Sequence, residues 1–142
     1  MNAPPRWAAP VLIVAAAYNL LWGAAAILWP LETLRLCGFF EPPRYPELWQ
    51  CIGMIVGVYG VGYAIAARDP WRHWPIILVG LLGKVFGPIG MANAILSGTL
   101  PVSAARTILT NDLIWWLPFG WLLVGAWRAV RSSAPADQSS FE

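Results

Sequence analysis

Charge is the scarcest commodity in this chain. Only 11% of its 142 residues are Asp, Glu, Lys or Arg, against about 25% in an ordinary soluble domain. There is one lysine, Lys84, one histidine, His73, and two cysteines, Cys37 and Cys51. Each shortage excludes something. A lone histidine with no carboxylate pair beside it cannot assemble a zinc site, so no metal or other cofactor is expected. A net charge of +2 spread over separate loops leaves no basic patch for nucleic acid. The glycines around Lys84, in GLLGKVFGPIG, do not make a phosphate loop. That loop needs four residues between its glycines and a hydroxyl after the lysine, whereas Gly80 and Gly83 are too close and Val85 follows Lys84. There is no α/β alternation and no PxxxTxxC segment, which excludes a thioredoxin-like peroxidase domain.

What the chain does have is hydrocarbon. Hydrophobic residues make up 58% of it, and four runs approach the roughly 20 residues that cross a bilayer. They cover residues 7–29, 49–67, 74–96 and 108–127. None shows the polar stripe that a helix of a soluble bundle would carry. The expected fold is all-α: an integral membrane four-helix bundle with short loops, forming one domain over residues 1–130. The first run ends in LWPLE without a small-residue cleavage site, so it reads as a retained helix rather than a signal peptide. Residues 131–142, RSSAPADQSSFE, have no apolar period and are expected to be disordered. Trp7, Trp29, Trp49, Trp71, Trp74 and Trp127 mark the span ends, where an indole suits the headgroup level. Arg6, Arg68, Arg72, Arg128 and Arg131 fall at one end and Arg35, Arg44 and Arg106 at the other. The excess places both termini in the cytoplasm.

Small residues indicate how such helices meet, since they allow backbones to approach. Gly80, Gly83, Gly87 and Gly90 form one narrow stripe on the third span, and Gly53, Gly57 and Gly60 another on the second. Ala15, Asn19, Gly23 and Ala26 share a face of the first. These stripes read as helix-packing surfaces, with a glycine-lined ligand cavity as the alternative. Pro88 and Pro118 lie inside spans, where each removes a helix hydrogen bond and opens space.

A charge near the centre of a membrane helix costs about 2.5–3.5 kcal/mol on insertion scales and turns toward partners. Lys84 lies at that depth in the third span. The expected arrangement is an ion pair or hydrogen-bonded cluster of Lys84 and Asp112 with Asn19, Gln50, Asn93 and Asn111, lining an outward-facing cavity. Asp112, in LTNDLIWW, can alternatively cap the fourth helix. Cys37 and Cys51 fit no CxxC pattern. Both lie toward the outer face, where a disulfide could close the first loop.

The run WQCIGMIVGVYGVGYAIAARDPWRHWPIILVGLLGKVFGPIG, followed by TNDLIWWLPF, resembles small bacterial four-span membrane proteins. These are DoxX-like in layout, and some carry the label alkyl hydroperoxide reductase. The resemblance covers Tyr18 to Val124 and implies the four-helix layout in a bacterial inner membrane. Three functions remain open at this point. The first is a multi-pass protein that binds a hydrophobic small molecule, a membrane partner protein or a second copy of itself. The second is a membrane-embedded enzyme acting on a lipophilic substrate through Lys84 and Asp112 as candidate catalytic groups. The third, implied by the label, is a thiol-dependent peroxide activity through Cys37 and Cys51.

Overall fold

The computed structural model describes residues 3–41 and 43–133, and these form helices without strands. Helix α1 spans Ala8–Leu28, α2 Pro30–Leu36, α3 Pro46–Ala66, α4 Trp74–Leu96 and α5 Ile114–Ser133. A 3-10 turn at Val102–Ala105 and a π-helical turn at Ile108–Leu113 lead into α5. Four helical stretches are long and apolar enough to cross a membrane: Ala8–Leu28, Pro46–Ala66, Trp74–Leu96 and Val102–Ser132. Their outward faces suit acyl chains: Leu117 is 82% exposed, Leu21 73% and Val58 70%. In water such surfaces would be aggregation sites.

Three differences from the sequence expectation matter. The first loop is not short, because Pro30 ends α1 and starts the separate helix α2. Proline is well placed at a helix start, where its missing N–H is needed by no carbonyl. The fourth span begins near Val102 rather than 108, so Asp112 lies inside it and caps nothing. Helix α5 continues to Ser133, and the rest of the expected polar tail, 134–142, lies outside the described residues.

The helices pack as two unequal pairs. Helices α1 and α3 make the most extensive contact in the molecule, while α4 packs on α5 and meets α3 sparsely. Small residues explain the first pair. A Cβ on Gly23 would come within 2.6 Å of the Gly53 carbonyl oxygen, and one on Gly60 within 2.9 Å of Leu20 Cγ. The buried side of α1, with Ala15, Ala16, Asn19, Gly23 and Ala26, is this seam. On α4 the stripe behaves differently. Gly80 packs on the Tyr63 ring, but added Cβ atoms at Gly87 and Gly90 would meet nothing within 4 Å. Half of that stripe therefore faces open space rather than a neighbouring helix.

Between the pairs, large side chains fill one end of the bundle only. Leu12, Tyr63, Ile77, Phe119 and Leu122 are fully buried at the end that carries the start of α1 and the end of α3. Tyr63 meets Phe119 edge-on with centroids 5.1 Å apart, and Trp115 lies 5.7 Å from Phe119. The opposite end of the bundle is hollow.

Gly23→Val is expected to disrupt the α1–α3 contact and abolish monodisperse folded protein on size-exclusion chromatography in detergent. Gly90→Ala, which meets open space, is expected to leave the elution profile and thermal midpoint unchanged.

Candidate functional site: a polar chamber under an aromatic one

Lys84 sits midway along α4, only 6% exposed. Four residues later Pro88, lacking an N–H, cannot give the Lys84 carbonyl its helical hydrogen bond. The neighbouring helix supplies the missing donor: the Trp116 indole Nε1 donates to the Lys84 carbonyl at 2.9 Å. The Lys84 ammonium in turn donates to the Asn111 carbonyl at 2.8 Å. Asn111 belongs to the π-helical turn, whose wider backbone path displaces carbonyls from the N–H groups an α-helix would offer them. One residue thus binds the start of α5 through both its main chain and its side chain. The Trp115 ring, 5.8 Å from Nζ, adds a cation–π contact.

Around this tie lies a chamber of about 150 Å³, lined by Asn19, Tyr59, Tyr63, Lys84, Asn111 and Asp112, with Gly80 and Gly83 as part of its wall. The Asn111 amide Nδ2 donates to Asp112 Oδ1 at 3.1 Å. Among the described residues, three buried side-chain polar atoms have no partner: Asn19 Nδ2 and Asn111 Oδ1, on residues that line this chamber, and Trp115 Nε1, on a residue that does not. A second chamber of about 430 Å³ adjoins the first through their shared lining residues Val56, Gly83, Asn111 and Asp112. Its wall is mostly aromatic and apolar, with Tyr18, Trp22, Phe39, Trp49 and Met91, and Cys37, Arg106 and Thr110 also line it. The residues that follow α2 are joined to the 3-10 turn beside this chamber. The Ser103 hydroxyl donates to the Gly38 carbonyl at 2.6 Å, an approach that Gly38 permits at φ 93° and that a side chain there would obstruct.

The expected polar cluster is therefore partly assembled. Asn19, Lys84, Asn111 and Asp112 line one chamber. The ammonium bonds the Asn111 main chain, and not the Asp112 carboxylate. Gln50 serves elsewhere, because its Nε2 donates to the Ile27 carbonyl at 2.8 Å, satisfying one of the carbonyls in the last turn of α1, which have no partner within the helix. Asn93 is exposed on α4, away from both chambers. Of the glycines read as packing residues, Gly53 and Gly60 pack against α1, while a Cβ on Gly57 would meet nothing. Gly83 and Gly87 line the outer chamber, and Gly90 faces open space. Sequence reasoning missed Tyr59, Tyr63, Trp115 and Trp116. The signal for Trp116 was present, since a proline four residues after Lys84 implies an orphaned carbonyl in need of a donor.

The disulfide does not form. Both thiols are free, with Cys37 buried and Cys51 exposed on α3. Burial pushes the Cys37 thiol up to about 11, with the Arg106 guanidinium pulling it down by less. Cys37 is thus a protonated thiol at neutral pH, a poor start for nucleophilic chemistry. Comparison with protein-family models, with curated proteins and with solved structures finds no match to this chain.

Trp116→Phe is expected to cost about 1–3 kcal/mol by stranding the Lys84 carbonyl. Pro88→Ala in the same chain restores an N–H to that carbonyl, so a double-mutant cycle in detergent unfolding should show favourable coupling of about 1 kcal/mol or more. Strict additivity would show that the indole does not replace the missing amide. In a Cys51→Ser background, alkylation of Cys37 should rise roughly tenfold per pH unit through the alkaline range, because only the thiolate reacts. An ordinary thiol would level off above about pH 8.5. Arg106→Ala should slow the labelling further, since removing the guanidinium raises the thiol's pKa.

Proposed function

We propose that this chain is a multi-pass membrane protein that binds a lipophilic small molecule between its two helix pairs. In this reading it has the DoxX-like four-span layout, with both termini on the cytoplasmic side of a bacterial inner membrane. The observation that carries the binding reading is the pairing of chambers. A small one with buried polar groups adjoins a larger aromatic one of about 430 Å³. Small-molecule sites have this character, mostly apolar walls with a few placed polar groups, and volumes of roughly 300–1,000 Å³. A bundle built for packing alone would fill that end with side chains, as it does at the other end. Gly83 and Gly87 keep the wall thin where bulkier residues would close it.

A second reading, a membrane-embedded enzyme, draws on one specific feature. Lys84 and Asp112, a potential acid–base pair, share the inner chamber. A substrate seated in the outer chamber would present its head to both groups.

The test is extraction of bound lipophiles from protein purified in mild detergent, read by mass spectrometry. Wild type should carry a defined molecule. Gly83→Leu, which fills the junction of the chambers without a backbone clash, should lose it. Lys84→Met should retain at most about a tenth as much. The same lipid profile in all three would remove the binding reading. Recovery of a chemically altered lipophile from wild type, but not from Lys84→Met, would favour the enzyme.

A further inference from the structure

We infer that the head group taken by the inner chamber is uncharged and carries both a hydrogen-bond acceptor and a donor, as a primary amide or a hydroxyl beside a carbonyl does. This inference rests on the binding reading above and specifies the chemical class of its ligand. The chamber holds unused donors. Asn19 lines it, is only 3% exposed, and its Nδ2 has no partner. The Lys84 ammonium has three N–H groups, of which the Asn111 carbonyl takes one. An acceptor on the ligand answers these. The chamber also holds an unused acceptor, Asn111 Oδ1. The orientation of that amide is set by its neighbour: Nδ2 already donates to Asp112, and turning the amide over would set two oxygens against each other. A donor on the ligand answers Oδ1.

Charge selects the rest. Lys84 and Asp112 line the same small space with opposite signs. A carboxylate head would satisfy the ammonium but confront Asp112, and an amine would do the reverse. Either leaves one net charge in apolar surroundings, where an uncompensated ion is strongly disfavoured. A neutral head with mixed polarity leaves the pair balanced and fills the orphaned atoms. The inner chamber, about 150 Å³, suits a compact head, and the aromatic chamber takes the apolar body.

The experiment is competition among probes that share one twelve-carbon tail: dodecanamide, dodecanoate and dodecylamine. They are offered in equal amounts to the purified protein in mild detergent at neutral pH, and occupancy is read by native mass spectrometry. The amide should be bound about tenfold over either ion. Asn19→Leu and, separately, Asn111→Leu should reduce that preference to about twofold or less while the tail still binds. Asn111→Leu keeps the main-chain carbonyl that receives Lys84, so it guards against loss of fold in the first variant. Equal or tighter binding of dodecanoate or dodecylamine by wild type would overturn the inference and leave the binding reading intact. So would a preference that survives in both variants. Failure of all three probes to displace the molecule that Gly83→Leu excludes would likewise overturn the inference and leave the binding reading intact.

Discussion

The arrangement of this bundle depends on how one interrupted hydrogen bond is repaired. A helix in apolar surroundings has no water to satisfy a stray carbonyl, so every backbone group must find a partner within the protein. Pro88 removes the partner of the Lys84 carbonyl, and Trp116 replaces it from α5. The same residue sends its ammonium to Asn111 at the other side of the junction. Helix α5 is therefore positioned by a pair of polar bonds near the middle of α4, and not by interlocking small residues. That explains why its approach includes a π-helical turn. The turn brings Asn111 to the lysine while Trp116 still reaches the carbonyl above Pro88.

The two helix pairs consequently obey different rules, and the cavity is the result. Helices α1 and α3 touch backbone to backbone through Gly23, Gly53 and Gly60, where no large side chain fits. Between the pairs stand Tyr63, Phe119 and Trp115, bulky enough to hold the pairs apart. At the end that carries the start of α1 and the end of α5, Leu12, Ile77 and Leu122 fill the space so created. At the other end the aromatic side chains line the gap without filling it. Beside the gap, the residues that follow α2 are tied to the 3-10 turn through Gly38 and Ser103. The polar residues lie at the boundary between the filled half and the hollow half.

Much of this was legible in the residues. Counting apolar positions located the four long helices, and for α4 the expected ends, 74 and 96, are those observed. Helical spacing placed Ala15, Asn19, Gly23 and Ala26 on one face, and the structure buries that face. Depth can be counted along a chain, but the partner a side chain faces cannot. Gln50 and Asn93 were grouped with Lys84 by depth, yet Gln50 turns to the end of α1 and Asn93 turns outward. The α4 glycines form the stripe that their spacing describes, but whether a stripe meets a helix or a void depends on where the next helix stands. That position is set by long-range bonds between α4 and α5. The break at Pro30 was readable as a break, but its continuation as α2 depends on the contact from Trp49 Nε1 to the Thr33 hydroxyl, 2.9 Å long.

Three buried polar atoms without partners are an expensive feature for so small a bundle. Each unpaired group costs about 1–3 kcal/mol, and whole domains are stable by only about 5–15 kcal/mol. A structure that wanted only stability could replace Asn19 with alanine, which the glycine and alanine seam around it would accommodate. It keeps the amide, buries it, and aims it into the same chamber as a lysine and an aspartate. Such local departures from good packing concentrate where a protein must do something besides fold. They also have a thermodynamic corollary. A molecule that fills the chamber adds its missing hydrogen bonds to the folded state alone, so stability and occupancy rise together. The polar tie that positions α5 and the unfilled polar groups beside it meet in one chamber; on the proposed binding, the tie would hold that chamber open and the ligand would complete it.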